Sequence, residues 1–403
     1  MDLKAQTAAI EPELIELRRY FHRHAERSWE ETQTQRKIET YLDAEGIPYI
    51  RVCRTGVIAA IRGPHSSERI IGIRADMDAL PVTEETGCDY ASENPGVMHA
   101  CGHDTHVAIL LATAKLLNER KEDLKVTVRL IFQPAEEFIE DSGAYYMKTV
   151  PEVLECERLI GLHIWGTLEA GYASLVEGPI MASADTFDIE IVGKGGHGAH
   201  PELAIDPIAA GVALCGELQR VIAREIGGLE PAVISVTSFN AGTTSNVIPE
   251  RAHLSGTTRA FSEDTRRQFP EMLERIAKGI AAATRTDISV DYHWGPPVTI
   301  NDLEVTATGR KAANAVFGAD HLITLPPQMG GEDFAKYTNR KAFLMLGGGN
   351  KDPKLRFNQH NPRFNIDESA LKLGVEYFLR YIEGWEEEID HELDPSGAFD
   401  ESI

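Results

Sequence analysis

The chain has 403 residues, of which 42% are apolar, so it is long enough for two domains with hydrophobic cores. Its 63 acidic and 40 basic residues give a formal net charge of -23 at pH 7. This balance argues against a nucleic-acid-binding protein, which would need a basic patch.

The start of the chain and its cysteines indicate a cytoplasmic protein. Residues 1–24 have the pattern of an amphipathic helix and not of a signal peptide, and no stretch approaches the roughly 18 apolar residues of a membrane span. The cysteines show no paired spacing, so we expect a reducing compartment and no disulfide framework. They are Cys53, Cys88, Cys101, Cys156 and Cys215.

The first half of the chain alternates between helical and strand patterns. Helices are predicted near 8–24, 31–45 and 105–118, and strands at 57–61, 70–73, 125–132 and 159–162. This alternation predicts an α/β fold class, with a mainly parallel central sheet flanked by helices.

The pattern changes between about 182 and 293. Strands are predicted at 187–192, 232–239, 251–259 and 288–292, and helices at 207–223 and 265–284. This β-α-β-β-α-β order is typical of a small ferredoxin-like α+β domain. After residues 295–297, Gly-Pro-Pro, the α/β pattern returns with a strand at 342–346 and helices near 302–316 and 367–383.

We therefore predict a larger α/β domain in two parts, 1–180 and 295–385, interrupted by an inserted domain at 181–294. Hinges are expected near Pro179 and Pro296. Residues 386–403 are acidic with few apolar residues and predict a solvated tail.

Metal-capable residues are concentrated in the segment MHACGHDTH, residues 98–106. Cys101 and His103 lie two apart, at the approach to a helix expected near Thr105, so a loop could direct both towards one ion. Thiolate and imidazole suit zinc or a similar transition ion. The alternative is a helix-capping loop with a buried cysteine.

Further polar residues stand at the predicted ends of other strands. Glu136 and Glu137 follow one strand, and His163 ends another. Ligands collect at the carboxyl ends of strands in open α/β sheets, where one glutamate could bind metal while its neighbour takes a proton from water. A solvated charge pair and a structural histidine are the alternatives.

Asp76 and Asp78 also follow an apolar strand, in the segment IRADMD. An aspartate at this position could orient a ligand histidine and fix its tautomer, and we count Asp78 among the catalytic residues for that reason.

Motifs along nearly the whole chain resemble those of the aminoacylase and carboxypeptidase G family of dinuclear metallohydrolases. Within it, the chain is most similar to the hippurate hydrolase branch of N-acyl-amino-acid amidohydrolases. Each motif alone is weak, but together in this order they are specific. They are IRADMDALP (73–81), MHACGHDTH, QPAEE (133–137), GLH (161–163), GKGGHGAHP (193–201), NVIP (246–249), GTTRAF (256–261), GGEDF (330–334) and QHNPRF (359–364).

The resemblance implies two divalent ions per subunit, with Glu136 as general base. The ions would be zinc, manganese, nickel or cobalt. The implied ligands are Cys101, His103, Glu137, His163 and His360. Other branches carry His-x-Asp and a bridging aspartate where this chain has Asp76-Met77-Asp78 and His103, so the bridging residue and the native metal remain open.

The inserted domain resembles the family's lid, which also forms the interface of a homodimer, with a tetramer as a further possibility. The resemblance implies that His197 polarises the substrate carbonyl, while Asn246 and Arg259 hold its free carboxylate. From the residues alone, the glycines around His197 could form a bulge, Asn246 could be a turn residue, and Arg259 could be a surface strand residue.

The predicted activity is metal-dependent hydrolysis of the amide bond of N-acyl amino acids, such as N-acetyl or N-benzoyl conjugates. The partner would be this small-molecule substrate, with no nucleic acid and no membrane. One alternative is a dipeptidase or carboxypeptidase of the same family. The other is a catalytically silent protein that binds an amino-acid conjugate.

The remaining polar residues of MHACGHDTH are expected to give local support. Helix capping is the predicted role of Asp104, and hydrogen bonding is the predicted role of His99 and His106.

Overall fold

The structure is a computed structural model that describes residues 2–393. Within this range no helix is long and apolar enough to cross a membrane. The helices are α1 (Leu3–Arg23), α2 (Thr32–Ala44), α3 (His103–Glu119), α4 (Gly143–Met147), α5 (Pro151–Leu154), α6 (Pro207–Glu225), α7 (Glu263–Thr284), α8 (Leu303–Phe317) and α9 (Leu371–Leu393).

The strands follow the predicted order, with short additional ones. They are β1 (Tyr49–Val52), β2 (Gly56–Ile61), β3 (Ile70–Asp76), β4 (Thr127–Gln133), β5 (Arg158–Glu169), β6 (Ala173–Ser174), β7 (Gly178–Met181), β8 (Asp185–Val192), β9 (Gly196–His197), β10 (Ala232–Ala241), β11 (Val247–Ile248), β12 (Arg251–Ala260), β13 (Asp287–His293), β14 (Thr299–Asn301), β15 (Leu322–Ile323) and β16 (Arg340–Gly349).

The described chain divides into two compact units. Unit 1 comprises residues 2–178, 300–325 and 336–393, and unit 2 comprises 179–299 and 326–335. Segment 326–335 differs from the predicted division, which placed it in the larger domain. The reason is backbone pairing, since Gln328 donates to the carbonyl of Ile180 and accepts from the amide of Ala182, both at 2.9 Å.

Unit 1 is built on a mixed sheet with the strand order β1-β2-β4-β3-β5-β16-β6-β15. Its central strands β4, β3, β5 and β16 are parallel. They are apolar and almost wholly buried, as expected for strands covered on both sides. The predicted α/β fold class with a mainly parallel central sheet is confirmed.

The last helix departs from the sequence prediction. A solvated tail was expected from residue 386, but α9 continues to Leu393, so the prediction is wrong for residues 386–393. Trp385 is fully buried and Ile389 is 4% exposed, because residues four apart lie on the same helix face. The rest of the predicted tail, 394–403, lies outside the described residues.

Unit 2 contains the predicted β-α-β-β-α-β order, formed by β8, α6, β10, β12, α7 and β13. Its antiparallel sheet has the order β10-β12-β8-β13. Alternate residues of β8 are buried, and Phe187 and Ile189 pack in the core with Leu214 of α6 and Phe269 of α7. Asp206 and Ser262 cap the two helices, which explains where they begin.

Candidate metal centre

Parallel strand register brings polar residues together at one edge of the unit 1 sheet. Asp76 at the end of β3 lies opposite Gln133 at the end of β4. Arg74 lies opposite Gly161 of β5, so the chain two residues further on brings Asp76 level with His163. The site therefore lies at the carboxyl ends of β3 and β4. His163 was predicted to end a strand, but it lies within β5, which continues to Glu169.

Gly102 sets the positions of Cys101 and His103. It is the N-cap residue of α3, which begins at His103, and has a φ of 90°. A Cβ atom here would lie 2.3 Å from Cγ2 of Ile164, so only glycine fits. The thiol and the imidazole consequently flank the start of the helix, and Sγ of Cys101 lies 3.4 Å from Nε2 of His163.

A tight turn after β4 presents the two adjacent glutamates. Ala135 has a φ of 50°, and its amide donates to Oε1 of Glu31 at 2.8 Å. The amides of Glu136 and Glu137 donate to Oδ1 and Oδ2 of Asp78, each at 3.0 Å. One buried carboxylate thus fixes the backbone of both glutamates.

The predicted ligands converge in unit 1. Nε2 of His103 lies 3.9 Å from Oε2 of Glu136 and 3.9 Å from Oε1 of Glu137, while Nε2 of His360 lies 3.4 Å from the same Glu137 oxygen. Three sets of donor atoms each lie within 4.8 Å of one another. They are Cys101, His103 and His163; Cys101, Glu137 and His360; and His103, Glu136 and Glu137.

The buried candidate ligand atoms suit a divalent cation. Nδ1 of His103 lies 2.9 Å from the carbonyl oxygen of Asp78, and Nδ1 of His163 lies 2.7 Å from that of Ile164, so each ring donates through Nδ1 and keeps Nε2 for a ligand role. Nε2 of His103 is buried without a hydrogen-bond partner in residues 2–393. Such atoms destabilise a fold unless something binds them, and a cation would do so.

The pKa shifts show how charge is distributed. Burial raises the pKa of the Cys101 thiol well above its ordinary value, and Glu137 and Glu136 add to that shift. Burial and the neighbouring His106 lower the pKa of His163 well below its ordinary value. Burial alone would lower the pKa of His103, but Asp76 and Asp78 outweigh it and raise it to about 10. The site therefore has a negative field that favours a cation.

Asp76 lies beside these candidate ligands and is held by its own contacts. Oδ1 lies 2.5 Å from Nδ1 of His106, and Oδ2 lies 2.5 Å from Nη1 of Arg74 and 3.7 Å from Nε2 of His103. Burial would raise the pKa of Asp76, but Arg74 and His103 hold it well below its ordinary value. The carboxylate thus stays ionised beside the site.

The three predicted substrate-contacting residues lie in unit 2. His197 and Asn246 are brought together on the β9–β11 ribbon, where His197 pairs with Val247 and the amide of Gly198 donates to the carbonyl of Asn246 at 2.8 Å. Both side chains are exposed. Arg259 lies on β12, half-buried, and its Nη1 donates to Oγ1 of Thr257 at 2.5 Å.

A family model and several relatives match this chain. The model of Peptidase family M20/M25/M40 matches residues 72–384. The chain belongs to this family. It is 41% identical to an N-acetylcysteine deacetylase of Bacillus subtilis, covering 92% of this chain and 96% of that protein. It is also 41% identical to an N-acyl-L-amino acid amidohydrolase of Geobacillus stearothermophilus, covering 74% and 81%.

A crystal structure of the YXEP protein of Bacillus subtilis, described as a dinuclear metal binding peptidase of the M20 family, superposes with a TM-score of 0.81. The two sequences are 36% identical, and the match covers 93% of this chain and 98% of that one. The family membership predicted from the motifs is thereby confirmed.

Two expectations for the M20 chain's MHACGHDTH segment are wrong. Asp104 does not cap α3, because Gly102 occupies the N-cap and the Asp104 carboxylate instead contacts Nδ1 of His22 and Nε of Arg18, both at 2.8 Å. His99 is buried with neither ring nitrogen hydrogen-bonded within the described residues. Hydrogen bonding by His106 is confirmed, since Nδ1 contacts Asp76 and Nε2 accepts from the amide of Ile164 at 2.9 Å.

Sequence reasoning missed two residues of the site's surroundings. Ser28 donates to Oδ2 of Asp78 at 2.6 Å. Glu31, fully buried, accepts from the amide of Ala135 and from Oγ1 of Thr55 at 2.7 Å. Neither stands in a recognisable motif, and each meets its partners only after the fold brings distant segments together, so no local signal identified them.

Proposed function

We propose that this M20 family chain is a metal-dependent amidohydrolase. It would cleave the amide bond of N-acyl amino acids to give a carboxylic acid and a free amino acid. The observation that carries the proposal is the convergence of cysteine, histidine and carboxylate donors beside Glu136 in unit 1. The reaction class is supported by relatives named as an N-acetylcysteine deacetylase and an N-acyl-L-amino acid amidohydrolase.

The donor set is proposed to hold two divalent ions. Cys101 and His103 each belong to two of these three donor groups, which supports neighbouring ions that share a ligand. Divalent ions supply a Lewis acid that acidifies the attacking water and polarises the scissile carbonyl. Thiolate, imidazole and carboxylate together accept zinc, manganese, nickel or cobalt. The proposed ligands are Cys101, His103, Glu137, His163 and His360.

Glu136 is proposed to move the proton. It would take a proton from the attacking water and pass it to the leaving amine nitrogen, which breaks the C–N bond and releases the amino acid. Its backbone amide bonds to Asp78, so the turn that carries it is fixed before substrate binds. Asp78 is the positioning residue for both Glu136 and His103.

Residues of unit 2 are proposed to bind the substrate. His197 would donate to the carbonyl oxygen, where negative charge develops during the reaction. Asn246 and Arg259 would hold the free carboxylate, because a guanidinium can bind both of its oxygens at once. The part of unit 2 that carries them, 181–294, is proposed as a lid.

We further propose a homodimer formed through unit 2, with a cytoplasmic location. Unit 2 exposes large apolar side chains, with Val212 62% and Leu229 97% exposed, and such side chains are suited to a subunit interface. Each of the five cysteines is free, which suits a reducing compartment. Size-exclusion chromatography with light scattering measures the molar mass of the protein in solution and so tests for the dimer.

The function is tested with a substrate panel. Metal-free protein is supplied with zinc, manganese, nickel or cobalt in turn, and release of free amino acid is measured from N-acetyl, N-benzoyl and dipeptide substrates. We expect turnover of N-acyl amino acids that is lost on chelation and restored by at least one ion. Faster turnover of dipeptides would instead make the chain a peptidase, and binding without turnover would make it a silent binding protein.

A further inference from the structure

A second cluster of metal-capable side chains lies in unit 1, apart from the candidate metal centre. It consists of His22 on α1 together with Glu84 and Cys88 in the loop between β3 and α3. One donor atom from each lies within 4.8 Å of the other two. None of the three belongs to the proposed ligand set of the metal centre.

The spacing of these atoms matches a zinc coordination shell. Nε2 of His22 lies 3.3 Å from Oε1 of Glu84, and Sγ of Cys88 lies 3.7 Å from the same oxygen. Around a tetrahedral zinc ion, with bonds of about 2.0 Å to nitrogen and oxygen and about 2.3 Å to sulfur, the nitrogen–oxygen separation is about 3.3 Å and the sulfur–oxygen separation about 3.5 Å. Both separations from Oε1 are therefore close to those that a bound ion would require, and Nε2 of His22 lies within 4.8 Å of Sγ of Cys88.

His22 is oriented as a metal-ligating histidine usually is. The ring is fully buried, and its Nδ1 lies 2.8 Å from Oδ2 of Asp104. A carboxylate that accepts the Nδ1 proton fixes the tautomer and raises the basicity of Nε2. Nε2 is the atom that faces Glu84.

The other two donors are also held in place. Oε2 of Glu84 accepts from the amide of Ser92 at 2.7 Å, which directs Oε1 towards His22 and Cys88. The hydroxyl of Thr86 contacts Oε1 of Glu84 and lies 3.3 Å from Sγ of Cys88. The Thr86 hydroxyl thus supports Glu84 as a hydrogen-bond donor, and a water would supply the fourth ligand.

The local charge favours a cation. Arg18 pairs with Asp104 and Glu368, and Arg19 also pairs with Glu368, so these two arginines are balanced by two carboxylates. The charge of Glu84 remains available. Cys88 is only half-buried, which gives an ion a route from solvent.

We propose that His22, Glu84 and Cys88 form a third cation site that binds zinc as a structural ion. The ion would tie the loop between β3 and α3 to α1. Through Asp104, which follows His103 along α3, the site would also brace the helix that carries a proposed ligand of the metal centre. This inference does not depend on the proposed amidohydrolase activity.

The test uses the full chain and zinc alone. Metal-free protein is labelled with N-ethylmaleimide with and without zinc, and the labelling rate of each cysteine is measured by peptide mass spectrometry. We expect zinc to slow labelling of Cys88 at least tenfold and to leave Cys53 and Cys215 unchanged. The same protection should persist in Cys101→Ser, which separates this site from the candidate metal centre.

Metal analysis gives an independent measurement. Cys88→Ala should hold about one zinc ion fewer per chain than the unsubstituted protein, whereas Cys215→Ala, a change at another half-buried cysteine, should lose none. If zinc leaves the labelling rate of Cys88 in the unsubstituted chain unchanged, the proposal is overturned. Equal zinc content in Cys88→Ala and the unsubstituted chain would also overturn it.

Discussion

The imidazole of His103 is held by Asp78, whose carbonyl oxygen lies 2.9 Å and whose Oδ1 lies 3.3 Å from Nδ1 of the ring. The same Asp78 carboxylate accepts the amides of Glu136 and Glu137. A single buried side chain therefore positions a proposed metal ligand and the proposed general base together.

Replacing Asp78 by asparagine should weaken metal binding. The change removes the negative charge that supports His103 and leaves one of two glutamate amides without its acceptor. Because such supporting partners typically contribute 10- to 100-fold to metal affinity, we expect a loss of about that size. Competition with a chromogenic chelator measures it. Asp320→Asn, at an exposed position, is the control, and an unchanged affinity in Asp78→Asn would refute the positioning role.

Glu31 should make stability depend on pH. Burial and the Asp78 carboxylate raise its pKa from 4.5 to about 7. The folded state then keeps the proton longer than the unfolded state, so the free energy of unfolding falls as pH rises from about 4.5 to about 7 and levels above that. Urea unfolding in chelator across this range should show a steeper fall for the unsubstituted chain than for Glu31→Gln. Parallel profiles would contradict the assignment.

The extension of α9 beyond residue 385 is tested by stability. Ile389 is buried, so Ile389→Ala should lower the free energy of unfolding by about 2–4 kcal/mol, the usual cost of removing a buried aliphatic side chain. Glu387→Ala, on the exposed side of the same turn, should change it by less than about 0.5 kcal/mol. Both free energies are measured by chemical denaturation. Equal values for the two variants would show that this segment is a solvated tail, as first predicted.

Part of the candidate metal centre could be predicted because Glu136 and Glu137 follow an apolar strand. The apolar pattern correctly placed Glu137 after the end of β4, but the predicted strand end at His163 is wrong, because β5 continues to Glu169 and His163 lies within it. His360 could be predicted only through resemblance, since it stands in a loop where periodicity gives no signal. The helical end of the chain was missed because Trp385 and Ile389 are isolated apolar residues among acidic ones. The contacts that bury them form only in the tertiary structure, as where Arg69 and Arg158 lie over the Trp385 ring.

Arg259 should control substrate affinity more than turnover. Lysine keeps the charge but cannot bind both carboxylate oxygens with a planar fork, so Arg259→Lys should raise KM at least about tenfold with a smaller change in kcat. Steady-state kinetics should compare an N-acyl amino acid with its carboxamide analogue. The effect should disappear for the analogue. An equal increase in KM for both compounds would show that Arg259 does not bind the substrate's carboxylate.

The central claim is that Glu136 transfers the proton while its neighbours bind the metal. Glu136→Gln is therefore compared with the unsubstituted chain and with Glu140→Gln, a change at a nearby exposed position, in metal content and in kcat for an N-acyl amino acid. We predict metal content equal to that of the unsubstituted chain and a kcat lower by about 10²- to 10⁴-fold in Glu136→Gln alone. Turnover at the unsubstituted rate by a fully metal-loaded Glu136→Gln would contradict the account.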